Sequence, residues 1–160
     1  MKVRSRPATG EPGYEDLFDP PTRLVRPALL RDRLDVAIAR AARRRRRVGV
    51  LSIQVRVPAD LLANAAPSFD LLPLIAGRLR SAVRPDDTVG RVGEHHFVVV
   101  CNDLVEDGDI EVVAERLQSV LGVRVFLDER RSVMQADVET MLVGPRGSAR
   151  EVLETLVPAG

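Results

Sequence analysis

"RVGEHHFVVV" (residues 91–100) reads as the end of one strand, a tight turn at Gly93-Glu94, and a return strand that is apolar from Phe97 through Cys101. The only two histidines of the chain, His95 and His96, stand at the tip of this hairpin. Adjacent residues on a strand point to opposite faces, so the pair cannot chelate one ion unless the turn brings both round. No Cys, His or other third ligand is recognisable nearby, and a metal site is not expected.

Working outward, the hairpin (88–101) sits between two amphipathic segments. "DLLPLIAGRLRSAVR" (70–84) predicts a helix with Asp70 as N-cap, Pro73 in its first turn, and Leu72, Ile75, Leu79 and Ala82 facing inward. "DGDIEVVAERLQSVLG" (107–122) predicts another, with Ile110, Val113, Leu117 and Leu121 as its stripe and Gly122 closing it. Upstream, "PALLRDRLDVAIARAARRRRR" (27–47) predicts a first helix opened by Pro27, its stripe formed by Leu29, Leu30, Leu34, Val36, Ile38 and Ala42. The run Arg43–Arg47 complements the negative end of that helix, and a solvated helix end is favoured over a phosphate- or partner-binding patch.

"VGVLSIQVRV" (48–57) reads as a buried strand, and "PADLLANAAPSF" (58–69) as a loop with a helical turn. Residues 123–143 suggest two further strands around a polar turn at Asp128 to Arg131, before a short helix in "GSAREVLETL" (147–156). Residues 1–18 lack apolar periodicity and are expected to be a flexible tail, leaving one domain over 19–157. The layout is α+β, with helices packed on a mainly antiparallel sheet.

With 160 residues, 45% of them hydrophobic, the chain is long enough for one core, and 3% aromatics without tryptophan mean that Leu, Val, Ala and Ile must build it. A net charge of +1 leaves no strongly basic footprint, so nucleic acid is not an expected partner. No apolar run approaches the length of a membrane span, and the N-terminus has no apolar leader, so a cytoplasmic location is expected. Cys101, the single cysteine, has no disulfide partner within the chain and reads as a small buried hydrophobe.

Two stretches resemble the GGDEF family of diguanylate cyclases. "DPPTRLVRPALLRDRL" (19–34) is similar to the family's "DxLTGLxNR" entry, with Asp19, Thr22 and Leu24 in register and Arg23 and Arg26 in place of Gly and Asn. "LRSAVRPDDTVGRVGEHHF" (79–97) is similar to "LRxxxRxxDxxxRxGGDEF", with Leu79, Arg80, Arg84, Asp87, Arg91, Gly93 and Phe97 in register. The resemblance covers roughly 19–157 and implies a bacterial signalling protein with a GGDEF/nucleotide-cyclase-like fold: a central, mainly antiparallel sheet of about five strands flanked by helices.

It also implies where catalysis would reside. "GEHHF" falls on the signature itself, so that Gly93, Glu94, His95, His96 and Phe97 occupy the catalytic positions in degenerate form. In the family a glycine lets the backbone approach the GTP phosphates and the acidic pair serves the metal and the attacking hydroxyl. Glu94 puts bulk and negative charge where glycine is wanted, and imidazoles are poor ligands for Mg²⁺. The family's other metal-binding aspartate falls at Ser52 or Gln54, depending on a two-residue register, and its nucleotide-positioning "NDxxGHxxGD" is reduced to "LLANAAPSFD" (61–70). No cyclase activity, no metal and no cofactor are therefore expected.

What the chain keeps is the family's inhibitory-site pattern, RxxD five residues before the signature: Arg84 and Asp87, with Arg116 in "AERL" aligning with a third contributor. Guanidiniums can hold phosphate or the guanine Hoogsteen edge, and a carboxylate accepts from guanine N1 and N2. The same residues also suit a surface ion pair at a helix end. The resemblance implies an inactive regulatory protein that receives cyclic di-GMP at Arg84, Asp87 and Arg116, with a protein-interaction or dimerisation module independent of nucleotide as the alternative. An unidentified protein partner and a homodimer both fit these readings.

Overall fold

The computed structural model describes residues 13–64, 71–127 and 130–159. The expected N-cap Asp70 and the turn residues Asp128 and Glu129 lie outside the described residues, as do residues 1–12 of the expected tail.

β1 (Arg47–Arg56) is the centre of the fold. It pairs antiparallel with β3 (His96–Leu104) on one side and β6 (Gln135–Val143) on the other, and β2 (Thr88–Arg91) adds to β3 as the hairpin read from the sequence. The sheet order is β2-β3-β1-β6. Six consecutive β1 residues, Val48 to Ile53, are buried, because helices cover both faces of the sheet and neither side of the strand meets water.

Residue parity divides the core in two. Leu51, Ile53, Phe97 and Val99 pack against α3 (Leu71–Ala82) and α4 (Asp109–Leu121), through Ile75, Leu79, Leu117 and Leu121. Val50, Val98 and Val100 point the other way, onto α1 (Pro27–Arg44) and α5 (Ala149–Leu156), through Leu30, Leu34, Ile38 and Val152. α1 opens with Pro27 at its first turn and ends at Arg45, which takes the left-handed conformation at φ 54°. Ser148 caps α5, its hydroxyl accepting from the Glu151 N–H at 3.2 Å.

Several expectations need correction. The central sheet has four strands rather than five, because the 123–133 segment leaves it to form a separate hairpin, β4 (Arg124–Leu127) with β5 (Arg130–Val133). Arg130 and Arg131, expected in a turn, belong to β5. At the opposite edge Val25 supplies only a bridge: its N–H donates to the Val89 carbonyl at 3.2 Å and its carbonyl accepts from Arg91 N–H at 3.0 Å. On α1, Val36 and Ala42 face solvent, and Ala37 and Ala41 take the buried positions. A 3.6-residue period run through Leu30, Leu34 and Ile38 reaches 37 and 41, so 36 and 42 fall off the stripe. Regular structure also starts before Phe18, with a 3-10 turn at Tyr14–Leu17 and an Arg26 N–H to Leu17 carbonyl bond of 2.8 Å. The short helical turn expected in 58–69 is α2 (Ala59–Asn64).

Candidate functional site

The turn between β2 and β3 holds the signature-like residues. Val92 N–H and Gly93 N–H both donate to the His96 carbonyl, at 2.9 and 3.2 Å, closing a tight loop from which Glu94 projects into solvent. A Cβ at Gly93 would stand 3.0 Å from that of His96, so the turn has little room for a side chain there. His95 and His96 are half-buried, on different sides of the turn: the His95 carbonyl accepts from Val55 N–H at 2.9 Å, and the His96 ring lies over β1.

His96 Nε2 lies 2.7 Å from Ser52 Oγ, and Ser52 Oγ donates to the Leu156 carbonyl at 3.1 Å. With the single hydroxyl proton given to Leu156, Nε2 is the donor in the first contact. Both β1 positions meet the turn: Gln54 stands opposite His96 in the ladder but is exposed and its amide reaches only the His95 carbonyl, at 3.5 Å, whereas Ser52, opposite Val98, is buried and bonded to the His96 ring. Burial holds the His96 ring below the ordinary imidazole value, and the charge of Glu139 opposes this without cancelling it. Where the resemblance places acidic metal ligands, the chain therefore presents a hydroxyl and an imidazole resistant to protonation. Among the described residues no group of three or more His, Cys, Asp or Glu is placed to hold a metal ion.

A depressed imidazole has a consequence for stability. The unfolded chain takes up the proton near the ordinary value of 6.5, and the folded chain does so only at lower pH. Folding free energy is thus fully present above 6.5 and declines as pH falls through the folded value. Urea midpoints measured across this range should fall with acidification, and His96→Gln should flatten that slope; an unchanged slope would remove His96 from the account.

Arg84, Asp87 and Arg116, singled out by the resemblance, line one cavity of about 140 Å³ between the α3–β2 turn and α4. Asp87 is fixed by its own backbone environment: one carboxylate oxygen accepts from Arg84 N–H and the other from Asn102 N–H, both at 3.0 Å. Burial raises its carboxyl above the ordinary value despite those bonds. Arg116 donates to the Ala82 carbonyl at 3.3 Å, at the end of α3. The Arg84 guanidinium makes no hydrogen bond or ion pair among the described residues. Cys101 lies in the floor of this cavity with its thiol pushed up to about 12, chiefly by burial, and is a packing group.

Sequence reasoning missed Asn102, whose backbone N–H holds Asp87 and whose side-chain amide donates to the Asp86 carbonyl. Nothing in its local sequence announces the role, since the partners are 15 and 16 residues away. Leu156 was missed for the same reason: it reaches Ser52 through its carbonyl, which carries no residue-specific signal.

No family model matches the chain. In sequence, an 83-residue stretch is 32% identical to cyclic di-GMP phosphodiesterase NbdA of Pseudomonas aeruginosa; it spans 52% of this chain and 10% of that protein. In structure, a sensory box/GGDEF family protein from Caulobacter crescentus superposes with a TM-score of 0.71 at 25% identity, over 88% of this chain and 92% of that one. The GGDEF domain of DgcB from the same organism, solved in complex with cyclic di-GMP, superposes with a TM-score of 0.74 at 13% identity, over 95% of this chain and 88% of that one. No helix among the described residues is long and apolar enough to cross a membrane. Sheet order, hairpin placement and these superpositions agree: the chain has the GGDEF-domain fold.

Proposed function

We propose that this chain is a regulatory protein of cyclic di-GMP signalling which does not convert GTP and which receives cyclic di-GMP at Arg84, Asp87 and Arg116. The observation that carries the reading is that these three residues line one cavity, where the charge of Arg84 is felt by Asp87 while its guanidinium makes no hydrogen bond among the described residues. Asp87 is held with its carboxylate oriented by two backbone donors, and its oxygens retain lone pairs for further N–H groups such as those of guanine. Support for inactivity comes from the hairpin tip and the strand beneath it, where His95, His96 and Ser52 offer two imidazoles and a hydroxyl in place of the carboxylate oxygens that suit Mg²⁺.

Calorimetric titration of the full chain with cyclic di-GMP tests the binding half. Arg84→Ala and Arg116→Ala should each weaken affinity by about one to two decades, as expected for a charge-assisted contact worth roughly 1.5–3 kcal/mol. Asp87→Ala is a poor probe, since it also removes the bonds that shape the turn. Wild-type protein giving no heat at high micromolar ligand would leave the nucleotide-independent interaction module as the reading. For the catalytic half, GTP with Mg²⁺ or Mn²⁺ should yield no cyclic di-GMP; product formation that His96→Ala abolishes would overturn it.

A further inference from the structure

A second cavity, of about 260 Å³, opens on the other side of the Arg84–Asp87 turn, between the 18–25 segment, α1 and α3. Arg23, Arg33, Arg80 and Arg84 line it together with Asp87, over an apolar floor that includes Val25. Four arginines thus line one cavity with a single carboxylate, whose two oxygens are already engaged by backbone N–H groups. Like charges are not gathered this way for packing: each arginine repels the others unless an anion lies among them.

How these arginines are held adds to the charge count. Arg80 is pinned by donation to the Thr22 carbonyl at 2.6 Å, and Thr22 is itself tied to Asp19 through its hydroxyl and its N–H. That leaves most of the Arg80 fork unspent. Arg33 makes no hydrogen bond or ion pair among the described residues. Arg23 makes one ion pair, with exposed Glu15 at 3.3 Å.

Backbone conformation singles out Arg23. It adopts φ 59°, in the left-handed region that disfavours any residue with a Cβ. The turn it closes, with Arg23 N–H on the Asp19 carbonyl and Asp19 N–H on the Leu24 carbonyl, would be made more cheaply by glycine, the residue the resembling family has here. A side chain kept at a conformational cost, beside three other arginines on one cavity, is best explained by what the side chain binds.

We propose that Arg23, Arg33, Arg80 and Arg84 form a binding pocket for a small phosphoanion, either free or as the phosphate group of a nucleotide. The pocket shares Arg84 and Asp87 with the cyclic di-GMP site but not Arg116, which lines the other cavity. Guanidinium forks match phosphate oxygens in pairs, and 260 Å³ admits a phosphate or pyrophosphate group.

Calorimetry of the full chain with inorganic pyrophosphate provides the test. Wild-type protein should give saturable heat that weakens with added salt. Arg33→Ala should reduce affinity by about tenfold or more. Arg23→Gly should move two readouts in opposite directions, raising Tm by about 2–4 °C through relief of the left-handed strain while weakening pyrophosphate by about tenfold. Arg116→Ala should leave pyrophosphate binding as in the wild type, which separates this pocket from the cyclic di-GMP site. Uridine 5′-monophosphate binding as tightly as pyrophosphate would assign the pocket to nucleotide phosphates, and binding of pyrophosphate alone would assign it to the free anion. Absence of saturable heat at millimolar pyrophosphate, or wild-type affinity in Arg23→Gly and Arg33→Ala, would overturn the proposal.

Discussion

Replacing Arg91 by alanine should destabilise the fold by about 3–5 kcal/mol, the cost of removing one partner from a largely buried ion pair. Arg91 and Asp19 side chains are 16% and 15% exposed, and Arg91 NH1 donates to both Asp19 carboxylate oxygens at 3.1 Å. The same guanidinium holds the signature turn, with Nε on the Gly93 carbonyl and NH2 on the Glu94 carbonyl, each at 3.0 Å. One side chain thus ties the start of the domain to the hairpin tip, across 72 residues of sequence. Alanine would leave the Asp19 carboxylate with only its Thr22 donors and two turn carbonyls unpaired.

Burial pushes the Asp19 carboxyl up, but hydrogen bonds from Thr22 and Arg91 and the charge of Arg91 outweigh it, and the folded value lies below 3.8. The pair therefore stabilises at all pH above 3.8, and its contribution disappears as pH falls through the lowered folded value. In Arg91→Ala the opposing burial acts with less compensation, so the variant should lose further stability at a higher pH than the wild type. Arg91→Lys keeps the charge and loses the fork, and should recover part of the deficit. Urea unfolding at neutral and acid pH measures all three; a loss under about 1 kcal/mol in Arg91→Ala would mean the pair contributes no more than an exposed bridge.

The contacts that make the site divide into those a sequence carries and those it does not. The hairpin and the three longer helices followed from local periodicity, because each buries a stripe that its own residues announce, although small alanines blur that stripe: Ala37, Ala41 and Ala114 are buried where Val36, Ala42 and Val113 were expected. Arg84, Asp87 and Arg116 were singled out by the family resemblance, and the fold places all three on the lining of one cavity. The Ser52 and Gln54 positions could not be separated from sequence, since a two-residue slip leaves strand parity unchanged. Pairing of β1 with β3 sets Gln54 opposite His96 and Ser52 opposite Val98, and it is the His96 ring, leaning along the strand, that meets the Ser52 hydroxyl. The departure of β4 and β5 from the central sheet was invisible for a related reason: alternation marks a strand but not its neighbour. Arg23 was visible as a mismatch, but only the φ of 59° shows that it is strained, and only the cavity shows that it shares a lining with three other arginines.

Phe97→Ala should cost about 3–5 kcal/mol, the range for deleting a fully buried aromatic ring. Phe97 is 0% exposed and sits at the root of the hairpin, opposite Ile53 on β1 and Arg91 on β2. Its ring belongs to the α3–α4 side of the core, whereas its neighbour His96 faces the Ser52 and α5 side. The last residue of the signature-like stretch is therefore bound to the α3–α4 side of the core, whereas Glu94 projects into solvent and half-buried His96 reaches β1 on the opposite face. Alanine leaves a cavity between β3 and the helices that the close-packed valines and leucines around it cannot fill without moving strands. Phe97→Leu preserves most of the volume and should cost much less, about 1–1.5 kcal/mol. Glu94→Ala, exposed at the tip, should change stability by less than about 0.5 kcal/mol. Chemical denaturation of the three variants measures the ordering, and a Glu94→Ala loss as large as that of Phe97→Ala would show that the turn itself, through contacts of its side chains, holds the hairpin in place.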